Sequence, residues 1–332
     1  MTRKRQLGFS LLEMMAALLV LLVVAAIVMS GMNQMMNSQG QIANRTEMHA
    51  GVRSATELLQ QEIGQAGKVS LAAPNANVTL HAAVAASPAT AVSFSLDAST
   101  GSAPAMYPTE ALTVDEGPNQ EVINVSTATG TPPSSGTATF LYAHAAGVPV
   151  VALGAFATGI VPPQTSPTYQ NGYTYTNGST GTVLKLYGDI NNDGNMLYVE
   201  YNCTQGTVAS PGFLYRNEMA LTATSKPAVD NTMILLGNLL PNPNDANNNP
   251  VPCFNYQVQA LGSGYVVTDV AVTLTVQPQK PDPQTGALVP ETKALLNISP
   301  RNVFEVWDTA RLVDPTRAQS MPPNVTANLL YP

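Results

Sequence analysis

The stretch GFSLLEMMAALLVLLVVAAIVMSG, residues 8–31, decides how this chain is organised. From Phe9 to Met29 it runs for 21 residues, of which only Ser10 and Glu13 are strongly polar. Because a helix needs about 20 apolar residues to cross a bilayer, the stretch predicts a membrane-spanning helix. A carboxylate inside the apolar region costs roughly 2.5–3.5 kcal/mol. Glu13 is therefore expected either to have a partner or to reach the membrane interface.

Basic residues precede this helix and predict its orientation. Arg3, Lys4 and Arg5 lie within the first eight residues, and the positive-inside rule puts them in the cytoplasm with the rest of the chain exported. A cleavable secretory signal peptide is the rival interpretation, but the apolar core of such a peptide runs for only about 7–15 residues. The longer run, which continues as a helical pattern, favours a membrane anchor.

The helical pattern extends well beyond the membrane-length segment. Apolar residues recur at steps of three and four, at Met32, Met35, Met36, Ile42, Met48, Val52, Ala55, Leu59, Ile63 and Ala66. No proline occurs before Pro74, so one helix of about 85 Å is predicted from Phe9 to Ala66. Its distal half is expected to lay this stripe on another surface.

The residues after Gly67 predict a β-rich body. Charged residues make up only 11% of the chain, against about 25% in ordinary soluble domains, which suits a loop-rich exported protein. Short β-branched and aromatic runs predict strands, at residues 91–96, 121–126, 137–143, 182–188, 195–202, 212–217, 253–260 and 265–278. The Asn-rich stretch 242–252 predicts an exposed loop, and 301–313 is either a strand or a short helix.

The predicted fold class is therefore α+β, with a long N-terminal helix packed on a large antiparallel β-rich head. The boundaries are a leader at 1–8, a transmembrane half of the helix at 9–30, an amphipathic half at 31–67 and the head at 68–332. One large head with inserted loops is favoured over two independent domains. Cys203 and Cys253 are the only cysteines; an even number in an exported chain predicts one disulfide, with two buried thiols as the alternative.

The short basic leader followed by G-F-S-L-L-E resembles the signature of type IV pilin precursors. In that family a prepilin peptidase cuts after the glycine, here Gly8, and methylates the new amino terminus, here Phe9. Glu13 then occupies the position of the family's glutamate, which balances the amino terminus of a neighbouring subunit as the helices bundle. The resemblance implies a pilin-like fold and three kinds of partner: the peptidase, other pilins or pseudopilins, and an inner-membrane assembly platform.

The whole chain is similar to large minor pilins of the PilW kind, or to the J-type minor pseudopilins of type II secretion. The segments that carry this similarity are TELLQQEIGQAG at 56–67 and LYRN at 214–217. The expected protein is thus a minor subunit held in the inner membrane before assembly, with its head outside. The alternatives are a filament-tip adhesin and a membrane-anchored extracellular enzyme.

One motif in the head has the spacing of a calcium loop. DINNDGNMLYVE, residues 189–200, matches the pattern D-x-[DN]-x-[DN]-G-x5-E, and carboxylate and amide oxygens are the ligands that calcium prefers. The candidate ligands are Asp189, Asn191, Asp193, Asn195 and Glu200. The competing interpretation is an Asp-Gly hairpin turn between two strands that needs no metal.

Catalysis and nucleic-acid binding are not expected. His49, His81 and His144 are far apart and have no metal-ligand neighbour at helical or hairpin spacing, so each is expected to be a surface or packing residue. No nucleophile elbow, phosphate loop or C-x-x-C occurs. The net charge is −7, and no basic stripe follows the leader. No cofactor is required, with Ca²⁺ as the one candidate.

Overall fold

The computed structural model describes residues 10–100, 104–131, 133–163, 177–261, 264–283, 285–312 and 317–325. Helix α1 runs unbroken from Leu11 to Gln65, in agreement with the lack of proline in this segment. Ser10 caps its start, because its hydroxyl oxygen accepts a hydrogen bond from the Glu13 N–H at 3.2 Å. Gly67 follows its end with φ of 87°, a left-handed conformation that glycine adopts without strain.

The Ala- and Thr-rich region after α1 forms a lobe of seven short strands. They are β1 (Val78–Leu80), β2 (Ser87–Ala98), β3 (Ala111–Val114), β4 (Glu121–Asn124), β5 (Thr127–Thr129), β6 (Ser135–Phe140) and β7 (Val150–Ala152). Two sheets run in the orders β1-β2-β6-β5 and β4-β3-β7. Hydrogen bonds from Ser126 N to Thr137 O and from Leu80 N to Val148 O link them on both sides. The strands thus surround a core of their own, which contains the edge-to-face pair Phe94 and Phe140; we call this part the barrel lobe.

A larger antiparallel sheet follows the short strand β8 (Ala155–Phe156). Its strands are β9 (Val183–Gly188), β10 (Leu197–Thr204), β11 (Gly212–Ala220), β12 (Ile234–Leu240), β13 (Phe254–Leu261), β14 (Gly264–Val276) and β15 (Glu291–Ile298). The order is β13-β14-β12-β11-β10-β9, and β15 also pairs with β14. The C-terminal part of α1 packs on this sheet, where Ala55, Leu59 and Ile63 are fully buried among Leu184, Leu214 and other sheet residues.

A second helix, α2 (Arg301–Leu312), closes the end of the head, and β16 (Ala318–Gln319) pairs in parallel with β8. Val303 and Val306 are buried, which is the helical spacing of an apolar face. The sequence left 301–313 open between strand and helix, and the structure decides for the helix. Asn302 donates from Nδ2 to the Gln65 carbonyl at 3.0 Å, so α2 adds a hydrogen bond to a carbonyl at the end of α1 that also accepts the Lys68 N–H at 3.3 Å.

The predicted fold class is confirmed, and each predicted strand segment contains a strand of the structure. The other strands were not predicted, namely β1, β3, β5, β7, β8, β12, β15 and β16. In β12, Asn238 has φ of 61° and the pairing with β11 shifts register, because an irregular strand interrupts the alternation by which strands are recognised. The Asn-rich segment lies between β12 and β13, is largely exposed and forms no strand.

Candidate functional site: the N-terminal helix and its contacts with the head

The first half of α1 is uncovered by the head. Its large apolar side chains from Leu11 to Met29 are all more than half exposed, and the helix is long and apolar enough to cross a membrane. Glu13 lies in the first turn, and its carboxylate forms no hydrogen bond or ion pair with the described part of the chain. Gly8 and Phe9, the predicted processing site, lie outside the described residues.

The predicted apolar stripe divides into two parts. Met32, Met35, Met36 and Ile42 are exposed, whereas Met48 and Val52 pack on the main core and the stripe is buried from Ala55 onward. The head therefore holds only the distal part of α1. The proximal part presents an apolar surface more than 35 Å long, at about 1.5 Å per residue from Leu11 to Met36.

Glu62 anchors α1 to the sheet through a buried ion pair that was missed in the sequence. Its side chain is 2% exposed, and its Oε1 accepts hydrogen bonds from Arg216 Nε at 2.9 Å and Nη2 at 2.5 Å. Tyr201 donates its hydroxyl to Oε2 at 2.5 Å. Burial lowers the pKa of Arg216, but the bond and charge of Glu62 raise it more, so the net shift is upward. The sequence did contain a signal for this ion pair: Glu62 is an acidic residue between Leu59 and Ala66, within the predicted apolar stripe.

A second contact holds α1 farther toward the membrane. The segment between β14 and β15 reaches back to the helix, where Gln41 donates from Nε2 to Asp282 Oδ2 at 2.7 Å and Asn44 donates to the Lys280 carbonyl at 3.3 Å. A Cβ at Gly40 would lie 3.1 Å from Pro283, so glycine allows the helix and this segment to approach closely. The head thus grips α1 from about Gly40 to Gln65.

The predicted calcium loop joins β9 to β10 and begins with a fully buried carboxylate. Asp189 Oδ2 accepts hydrogen bonds from Lys68 Nζ at 2.8 Å and Ser70 Oγ at 2.7 Å. Its Oδ1 accepts the backbone N–H groups of Asp193 and Gly194. Both carboxylate oxygens of Asp189 therefore already have protein donors.

The other predicted ligands do not gather around Asp189. Asn191, Asp193 and Asn195 are exposed on the turn. Glu200 is buried on β10, where its carboxylate faces Lys226 Nζ at 3.0 Å and the Tyr198 hydroxyl at 3.0 Å. Within the described residues, no group of three or more His, Cys, Asp or Glu side chains is placed to hold a metal ion. Calcium binding by this loop stays a prediction.

The predicted disulfide between Cys203 and Cys253 is confirmed. The bond joins the end of β10 to the residue before β13, with the two Cα atoms 6.5 Å apart and 50 positions between them in sequence. Both residues belong to the core beneath α1. The bond therefore closes a segment that contains β11, β12 and the Asn-rich loop, and it ties β10 to the start of β13, two strands that do not pair directly.

His144 forms a second polar cluster, in the barrel lobe. Its imidazole has no exposed surface; Nδ1 lies 3.0 Å from Asp115 Oδ2 and Nε2 lies 2.7 Å from Glu121 Oε1. Because each ring nitrogen faces a carboxylate, both bonds form only when the ring is protonated. Burial lowers the pKa of His144, but the two carboxylates raise it more, so it lies above its ordinary 6.5.

The same contacts lower the pKa values of both carboxyl groups. For Asp115 the bond from His144 dominates; for Glu121 burial opposes it, but the bonds from His144 and two backbone N–H groups outweigh burial. The two ionised carboxylates thus stabilise the fold at pH values above their unfolded pKa values. This stabilisation is lost as the pH falls through their lowered pKa values in the folded state. Because the pKa of His144 is raised in the folded state, its protonation stabilises the fold fully below about pH 6.5. That stabilisation is lost as the pH rises through the raised pKa. The cluster is most stabilising between about pH 4.5 and 6.5.

The comparison with known proteins matches the N-terminal segment. Residues 3–29 match the family model described as "Prokaryotic N-terminal methylation motif". Neither the curated proteins nor the solved structures compared with the chain match it. The motif implies processing by a prepilin peptidase and assembly with other pilins, and it covers Gly8, Phe9 and Glu13. Together with the long apolar helix, this motif supports a type IV pilin-like prepilin.

Proposed function

We propose that the protein is a minor subunit of a type IV pilus or a type II secretion pseudopilus, placed in the priming or tip complex. Its role is structural: α1 anchors it in the inner membrane, with the basic leader in the cytoplasm, and then joins a helical bundle. The observation that carries the proposal is the division of α1. The head grips the distal part, while the large apolar side chains from Leu11 to Met36 are exposed in the described structure and available to other helices or lipid.

Glu13 is the residue we assign to the first assembly contact. It lies one turn into an exposed apolar helix, where an unpaired carboxylate is costly once the helix is in hydrocarbon or in a helical bundle. The new amino terminus of a neighbouring subunit supplies the opposite charge. That pairing offsets the desolvation of both groups.

The bulk of the head supports a minor rather than a major subunit. Besides the seven-stranded sheet on which α1 packs, the chain carries the barrel lobe with a separate core. A head with two lobes on one helix is harder to repeat at every position of a tightly wound filament than a single sheet. At the tip, neighbours restrict it on one side only.

The first experiment tests the processing and the role of Glu13. Mass spectrometry of the mature protein should show an amino terminus at N-methylated Phe9. Glu13→Ala should still be processed but should enter sheared filaments much less than wild type. Glu47→Ala, which removes an exposed carboxylate from the same helix, is the matched control. An intact leader, or equal incorporation of the two variants, would refute the assignment.

The second experiment tests the minor role. Quantitative mass spectrometry of purified filaments should find this subunit in a small ratio to the most abundant pilin. Deletion of its gene should reduce the number of filaments more than their length, because priming acts at initiation. A ratio near one to one would contradict the proposal.

A further inference from the structure

A cleft lies between the barrel lobe and the large sheet. It has a volume of about 410 Å³, within the range of roughly 300–1,000 Å³ that is usual for binding pockets. Its walls come from three parts of the chain: residues 105–108 and 133 beside the barrel lobe, the turn and strands at 191–197 and 218–222, and the C-terminal residues Pro322 and Asn324. The cleft exists only because the barrel lobe packs against the sheet.

Most of the cleft wall is apolar and firmly held. Ten of its sixteen lining residues are apolar or aromatic. Met106, Tyr107, Met196 and Leu221 are each less than 9% exposed, and the Tyr107 hydroxyl donates to Gln319 Oε1 at 2.5 Å. The wall is therefore preformed and suited to the carbon atoms of a ligand.

Acidic groups make up the charged part of the lining. Asp193 and Glu218 line the cleft, and no Lys, Arg or His side chain does so within the described residues. Asp193 is exposed, and among the described residues its carboxylate accepts one hydrogen bond, from the Asn195 N–H at 2.9 Å. Glu218 is bonded to Arg216, but that guanidinium also neutralises the buried Glu62. One arginine thus serves two carboxylates, and the cleft keeps an excess of negative charge.

We propose that this cleft binds a basic segment of a partner protein through a lysine or arginine side chain. Such side chains carry a long aliphatic stem that packs on apolar surface and a charged end that reaches a carboxylate. An apolar wall suits the stem, and two acidic groups that share only Arg216 as a cation among the described residues suit the charged end. The partner is expected to be a different protein and not a second copy of this chain. This chain has only 14 Lys and Arg residues, of which three lie in the leader, so it offers few basic segments.

Binding of a defined peptide to the full-length chain in neutral detergent tests the proposal independently of filament assembly. The probe is a five-residue peptide, blocked at both ends, with two arginines flanking a leucine; the same peptide with glutamates is the charge control. Fluorescence anisotropy should show that the arginine peptide binds and that its affinity falls as the salt concentration rises. The glutamate peptide should not bind.

Three variants localise the binding. The double variant Asp193→Asn/Glu218→Gln should weaken it at least tenfold, and Thr222→Trp, which places a bulky ring at an exposed lining position, should weaken it without changing charge. Asp245→Asn is the matched control, because Asp245 likewise accepts the N–H of the second residue after it in an exposed turn; binding should be unchanged.

The proposal would be overturned if the arginine peptide did not bind, or if the glutamate peptide bound equally well. It would also be overturned if all variants had the same affinity for the arginine peptide. A fourth contrary result would be that the protein binds calcium alone and that this binding depends on Asp193 and Glu218. Self-association that the double variant abolishes would identify the occupant as a second copy and would overturn the choice of partner. Failure of the pilin assignment would leave the peptide result intact, since the two tests share no residue.

Discussion

Removal of Arg216 is the sharpest test of how the head holds α1. In Arg216→Met the aliphatic stem is roughly kept, but the Glu62 carboxylate, 2% exposed, loses the one cation that pairs with it among the described residues. The Tyr201 hydroxyl then remains as its single donor. A buried carboxylate without a cation is much less favourable than a solvated one, so the loss exceeds that of the attraction alone.

The expected destabilisation is about 3–5 kcal/mol, the usual cost of breaking a buried pair from one side. For a head of this size it corresponds to a fall in Tm of roughly 6–20 °C. The double variant Glu62→Gln/Arg216→Met removes both charges. It should recover most of the lost stability, because a neutral pair of similar volume leaves no ion buried.

Thermal unfolding of the full-length chain in detergent gives the measurement. Trp307 is the only tryptophan and donates from Nε1 to the Ala157 carbonyl at 2.9 Å, so its fluorescence reports on the α2 end of the head. Arg53→Met is the control, since it breaks an exposed pair with Glu57 on the same helix and should leave Tm unchanged. Equal Tm values for Arg216→Met and Arg53→Met would refute the anchoring role, as would a double variant no more stable than Arg216→Met.

Three further predictions concern the head. The wild-type Tm should be higher near pH 5.5 than at pH 8.5, and His144→Gln should reduce this difference; an unchanged difference would contradict the protonated cluster. Replacing Cys203 and Cys253 by serine should cost about 4 kcal/mol in denaturant titrations, from the loop entropy of 50 residues; a loss below about 1 kcal/mol would show that the loop is restrained without the bond. Gly67→Ala should lower Tm, because the new Cβ would lie 2.7 Å from Val303 Cγ2 at a φ of 87°. Gly64→Ala, where nothing lies within 4 Å, should raise it; a Gly67→Ala Tm at or above wild type would refute that reasoning.

The N-terminal helix was predictable because its determinants are local. An apolar run of membrane length, steps of three and four, and the lack of proline before Pro74 predict a long helix wherever the rest of the chain lies. The sequence also placed five of the seven strands of the large sheet, through β-branched and aromatic runs. It did not predict β12, because the left-handed Asn238 breaks the alternation, nor the closure of seven short strands into the barrel lobe. Closure depends on pairings between residues far apart in sequence.

By itself, the sequence determined the membrane helix, the motif that matches prepilins and the two cysteines that pair. The tertiary structure decided which charges meet. Glu62 and Arg216 are 154 positions apart and form an ion pair, His144 lies between two carboxylates, and the acidic turn lines an apolar cleft instead of gathering its candidate ligands around Asp189. The physical reason is range: helix periodicity acts over a few residues, whereas burial and charge pairing depend on which surfaces the completed sheet and helices bring together.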